Sequence, residues 1–194
     1  MPFYVVSVNT HVYGSAMKPR LTKDDWIEFA LKELADFGHT NLTAHNLAQR
    51  LGVSRGSFYW HFKHVQDFEK CVLQEWQDIS TEQIILRLRS DDSPQIRMKN
   101  LLNQAMGQDV SLERAVRSWA SMDKQIARAV ADVDLRRITY VEDLLKELKV
   151  PKIERRVRAL ALYWASLGRI VIANPQFSEL TAGEVEHLNN LFVS

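Results

Sequence analysis

Cysteine, glycine and proline are scarce in this chain of 194 residues, which has one Cys, seven Gly and five Pro. The single cysteine, Cys71, excludes an intrachain disulfide framework and fits a reducing compartment, so a cytoplasmic location is expected. Few chain breakers leave room for long helices, and good helix formers (Leu, Ala, Arg, Glu, Lys) fill much of the chain. No apolar run approaches the roughly 20 residues that cross a bilayer. The most apolar stretch, from Ala159 to Ala173, is interrupted by Arg169, so no membrane partner is expected. Constellations for chemistry are missing too. There is no nucleophile–base arrangement, phosphate loop or metal-ligand cluster, which points away from an enzyme and from a cofactor. Beyond residue 64 the only histidine is His187, which argues against a His-rich metal site in the long C-terminal part.

Acidic residues are absent from one whole window. Between Phe37 and Gln66 there is no Asp or Glu, while Arg50, Arg55, Lys63 and four of the six histidines fall there. The net charge is only +1, so this is a local basic patch in a neutral chain, the kind of footprint a polyanion meets.

Hydrophobic periodicity predicts an all-α fold of about nine helices, with no hairpin and no internal repeat. Residues 1–16 lack the basic start of a signal peptide and read as a disordered extension, with Met17 opening a more natural start. Thr22 caps a first helix to Phe37, with Asp24 and Asp25 at its positive end and Gly38 as its stop. Thr43 starts a short second helix, Gly52 turns the chain, and Ser54 caps a third. Helix, glycine turn, helix within about 20 residues is the helix-turn-helix pattern. One long amphipathic helix is predicted from about Gln66 to Arg89, and Ser93-Pro94 opens another that ends near Gly107. Further helices are predicted over 112–122, 123–148, 151–173 and 179–192, with a turn at 174–178. Asp132 and Arg136 stand one helical turn apart and are expected to pair.

The string SRGSFYWHF, Ser54 to Phe62, crowds three aromatics and a histidine behind a cation. Phe58 and Phe62 lie four apart, so they share one face and are expected to be core. Helix N-termini expose free N–H groups that attract phosphate, and Thr43 and Ser54 mark two such ends. The first turn of the third helix, Arg55, Gly56 and Ser57, is placed to reach base edges in a major groove about 12 Å wide. Arg55 can donate two hydrogen bonds to one guanine, Gly56 removes bulk, and Ser57 can serve a base or a phosphate. Trp60 fits either the groove edge or support of the helix, and Lys63 adds a cation.

The stretch from Leu42 to Phe68 resembles the DNA-binding region of the TetR family of bacterial transcription regulators. The resemblance rests on Leu42-Thr43, Leu47-Ala48, Leu51-Gly52-Val53, Ser57, Tyr59-Trp60-His61-Phe62 and Lys63. It implies that Tyr59 and His61 contact the DNA backbone. It departs from the family pattern at His64 and Val65, where a Ser, Asn or Asp cap and then a lysine are usual. The family resemblance further implies a head over residues 17–65 and a larger helical domain over 66–194 that binds a small effector and forms a homodimer. The expected function is a dimeric repressor released from a near-palindromic double-stranded operator by that effector. The alternative is a helical small-molecule-binding protein or enzyme with a vestigial head. Candidate pocket walls for an apolar or aromatic effector are Trp76, Met98, Met106, Trp119, Met122, Tyr163 and Trp164. Ala161, Ala165 and Gly168 are small enough for the close helix approach of a dimer interface.

Overall fold

The computed structural model describes residues 20–89, 93–172 and 174–193, and the extension expected over residues 1–16 lies outside them. Every regular element among the described residues is helical. Helix α1 (Lys23–Phe37) begins where the sequence places its cap: the Thr22 hydroxyl accepts from the Asp25 amide, and the Asp25 carboxylate accepts from the Thr22 amide. The side-chain and backbone hydrogen bonds from Thr22 hold the Asp25 carboxyl below its ordinary pKa. Its buried face is Trp26, Ile27, Ala30, Leu31 and Leu34, the i, i+3, i+4, i+7 stripe of an amphipathic helix.

After Gly38 and one turn of 3-10 helix (His39–Asn41) come α2 (Ala44–Leu51) and α3 (Arg55–His61). Gly52 joins them at φ 67°, ψ 34°, the left-handed region that glycine enters without a Cβ penalty. The sharp turn this permits sets α3 across α2.

The single long helix predicted to Arg89 is not uniform. It runs as α4 (Val65–Gln77), a π turn (Asp78–Glu82) and α5 (Gln83–Arg89). No Pro or Gly announces the π turn. The Ser80 hydroxyl bonds back to the Trp76 carbonyl, and Arg137 reaches in from another helix. Such insertion into the backbone ladder is a usual cause of helix irregularity. Helix α6 (Pro94–Gly107) opens with Pro94, capped by Ser93. Helix α7 (Ser111–Ala120) and the long α8 (Lys124–Glu147) meet at Asp123, which caps α8 through the Gln125 and Ile126 amides. Helix α9 (Lys152–Val171) follows Pro151. The turn predicted at 174–178 is instead a single helical turn, α10 (Pro175–Ser178). The final helix α11 (Ala182–Val193) starts later than predicted, because Thr181 and Glu184 cap each other there.

Two buried clusters hold the molecule. The first joins Trp26, Leu47, Phe58, Phe62 and Phe68 to Val116, Trp119 and Val130, so α1–α4 share a core with α7 and the start of α8. The second unites α5, α6, the end of α8, α9 and α11 through Met98, Leu102, Leu144 and Leu162. Helix α4 and its π turn run from one cluster to the other. No described helix is long and apolar enough to cross a membrane.

Candidate functional site

The aromatic string divides by helical phase. Phe58 is fully buried and Phe62 is 2% exposed, whereas Tyr59 is 47% and Trp60 69% exposed. Phe58 meets Trp26 of α1 edge-on at 5.5 Å between ring centres and Phe68 of α4 at 5.1 Å. Phe62 lies 4.9 Å from Phe68. The expected core pair is therefore clamped by α4 as well as by α1.

The outward surface gathers Thr43, Ser54, Arg55, Gly56, Tyr59, Trp60 and Lys63, all exposed, with Ser57 and His61 half-buried among them. Thr43 caps α2 by accepting from the Asn46 amide at 3.1 Å. Ser54 stands at the N-cap of α3 in extended geometry, but its hydroxyl makes no capping bond, contrary to expectation. The Ser57 amide bonds to the Ser54 carbonyl instead, at 3.0 Å. His61 is not a freely facing donor. Its Nε2 is 2.8 Å from the Leu21 carbonyl and donates to it, which anchors the end of α3 and leaves Nδ1 for other partners. His64 occupies the N-cap of α4 without a side-chain capping bond, as its departure from the family pattern implies.

Charge on this surface is also sorted. Arg50 is tied to the buried Glu33 at 3.0 Å and stacks over Phe37. Arg20 was missed by the motif reading. Its guanidinium lies 4.0 Å from the centre of the Trp60 ring, a cation–π contact that fixes both beside α3. The signal was present as the basic residue just ahead of the Thr22 cap.

The match to known proteins falls on this head. Residues 27–64 match the family model described as bacterial regulatory proteins, tetR family. The matched residues form a head of the TetR family type. This head is 44% identical over 45 residues to the tetracycline repressor protein class C of Escherichia coli, covering 23% of this chain and 20% of that repressor. The chain thus spans about a fifth of that curated relative. The whole fold is similar to a transcriptional regulator from Rhodococcus sp. Rha1, with a TM-score of 0.69 at 17% identity over 89% of this chain and 94% of that one. It is also similar to AibR solved in complex with isovaleryl coenzyme A and operator DNA, with a TM-score of 0.65 at 12% identity over 87% and 96% of the two chains. The helix-turn-helix of that head lies in α2 and α3.

A second feature lies in the helical body. A cavity of about 610 Å³ sits between the end of α4, the π turn, α5, α6, α7, α8 and α9, a volume typical of small-molecule sites. Of the seven predicted wall residues, only Trp76 and Tyr163 line it. Met98 and Met106 are buried in the second core cluster, and Trp119 in the first, where it stacks on His39. Met122 and Trp164 are 65% and 63% exposed. Helical spacing marks which faces are apolar, not which of them meet a void.

Behind the cavity wall four charges interlock. Arg137 donates to both Glu113 oxygens at 3.1 and 3.2 Å. Arg117 bonds Glu113 at 2.8 Å and both Asp134 oxygens at 3.3 and 2.6 Å. Tyr163 donates to Asp134 and accepts from Arg117. Burial works against both arginine charges, but the Asp134 hydrogen bond at Arg117 and the Glu113 charge at Arg137 outweigh it and raise both pKa values. Burial, reinforced by the Asp134 hydrogen bond, pushes the Tyr163 phenol up to about 12. The expected Asp132–Arg136 pair does not form: Arg136 reaches Glu82 of the π turn at 2.9 Å instead.

Proposed function

We propose that this regulator is a dimeric repressor that leaves its operator when a small molecule fills the body cavity. The division of labour follows the two parts of the chain, with residues 17–65 reading DNA and 66–194 binding effector and dimerising. The observation that carries the reading is the path of α4. Its Phe68 packs against both Phe58 and Phe62 under the reading helix, and its Trp76 stands on the cavity wall. Between Trp76 and α5, the π turn contributes Ile79, Ser80 and Thr81 to the same wall. Arg137 holds that turn through the Ser80 carbonyl at 3.2 Å, the Ser80 hydroxyl at 3.1 Å and the Thr81 hydroxyl at 3.0 Å. A ligand that displaces the π turn moves the helix that supports α3. The effector acts only by the difference in its affinity for the two positions of that helix.

In this reading Arg55 and Ser57 reach base edges, and Tyr59, Lys63, Thr43 and Arg20 hold phosphates. Trp60 positions Arg20. His61 chiefly fixes the helix and turns its second ring nitrogen toward the backbone.

The dimer is supported by a bare apolar stripe on α9. Ile153 (86% exposed), Val157 (67%), Trp164 (63%) and Val171 (83%) recur at helical spacing on one side, with Ala161 and Gly168 between them. Four large hydrophobics on one exposed helix face are unusual for a monomer surface. The small residues let a partner helix approach closely, while Ala165 borders the stripe.

Sedimentation tests the paired assembly. The native chain is expected to run as a dimer at micromolar concentration. Trp164→Glu is expected to run as a monomer and to lose operator affinity with it. A native monomer that binds its operator with undiminished affinity would break the account.

A further inference from the structure

The cavity's charges say what class of molecule it takes, given the reading of that cavity as the effector site. Two cations, Arg117 and Arg137, face two anions, Glu113 and Asp134, and each is bonded within the set. Of these four, Glu113 and Arg137 line the cavity, and the set as a whole offers no uncompensated charge. A carboxylate ligand would have to draw Arg137 away from both Glu113 oxygens and leave Glu113 and Asp134 sharing Arg117 alone, a costly exchange in a largely buried set. An ammonium ligand fares no better. Both anions already hold guanidinium groups, and the Arg137 guanidinium lies 5.9 Å from the Trp76 ring centre, adding its own positive charge at that aromatic wall. Asp109, at one edge, accepts from the Ser111 amide and hydroxyl at 2.9 and 2.7 Å, and Arg114 adds a favourable charge.

Hydrogen-bonding capacity survives on a neutral group. Gln104, half-buried on α6, lines the cavity and makes no side-chain hydrogen bond among the described residues. Around it the wall is aliphatic, with Ile84, Leu101, Val141, Leu167 and Ile170. We propose that the cavity takes a neutral, largely apolar molecule bearing one hydrogen-bonding group, and that it discriminates against carboxylates and quaternary ammonium ions of the same shape.

Three probes with one chain length test this by calorimetry on the full chain: decanol, decanoate and decyltrimethylammonium. Decanol is expected to bind at least about tenfold more tightly than either ion. The Glu113→Gln variant leaves one cation uncompensated and is expected to raise decanoate affinity by about tenfold over the native chain. Native-chain binding of either ion as tightly as decanol would overturn the ligand class and leave the effector site standing. Failure of all three to bind would overturn both. Because the native comparison needs no substitution, a variant that fails to fold does not remove the test.

Discussion

The Nε2 atom of His61, in the last turn of α3, lies 2.8 Å from the carbonyl oxygen of Leu21, forty residues earlier and just ahead of α1. The next residue, Thr22, caps α1. One imidazole thus ties the end of α3 to the start of the helix it packs on. A histidine expected only to meet phosphate is first a clamp within the head.

His61→Ala is therefore expected to lower stability in the absence of DNA, by about 0.5–1.5 kcal/mol for the lost hydrogen bond. Urea unfolding of the two proteins measures it. Unchanged stability would return His61 to a purely DNA-facing role.

In the proposed function Arg55 reads a base and Tyr59 holds the DNA backbone, and substitutions separate the two roles. Arg55→Ala is expected to cost about 1–3 kcal/mol on the operator and to relax preference at one base pair. Tyr59→Phe should weaken all duplexes alike. Binding titrations on the operator and on single-base variants of it distinguish the two patterns. A uniform loss with Arg55→Ala would reassign that arginine to phosphate.

Gly56 should show opposite signs in two assays. It sits in ordinary helical backbone, and a Cβ there would meet only the Ser54 hydroxyl oxygen, at 3.6 Å. Gly56→Ala is expected to stabilise the fold by about 0.5–1 kcal/mol, as alanine does in a helix. If the bare backbone is there for close approach to DNA, operator affinity falls at the same time. Thermal unfolding and fluorescence anisotropy, run side by side, read both signs.

Tyr163 gives an alkaline signature. Its pKa in the folded chain is pushed up to about 12 from 10.0. A group whose folded pKa is raised contributes its full stability below the unfolded value and loses it as pH rises through the folded one. Stability should therefore fall between about pH 10 and 12 by an amount that Tyr163→Phe removes. Absorbance titration of phenolate should show one tyrosine ionising late in the native chain and absent from the variant. A full complement ionising near pH 10 would contradict the buried Asp134 contact.

Much of the head was legible in its residues. Thr22 with Asp25, Gly52, and the four-residue spacing of Phe58 and Phe62 are local signals, and local physics decides them. The cavity was not legible. It arises where seven segments fail to close on one another, and Met98 and Trp119 carry the same apolar pattern as Trp76 while packing solidly. The π turn was hidden for a related reason. The sequence DISTE contains no helix breaker, and Arg137, 57 residues from Ser80, helps hold its geometry. Long-range pairing likewise decided Arg136, which bypassed its helical neighbour Asp132 for Glu82.

Selection of bound duplexes from fragmented genomic DNA by the purified chain, at moderate salt, tests the central claim most directly. The account predicts enrichment of one near-palindromic site, with half-site centres about 34–36 Å apart or a multiple of that, and loss of the enrichment with Arg55→Ala. Recovery of duplexes with no shared sequence would contradict it.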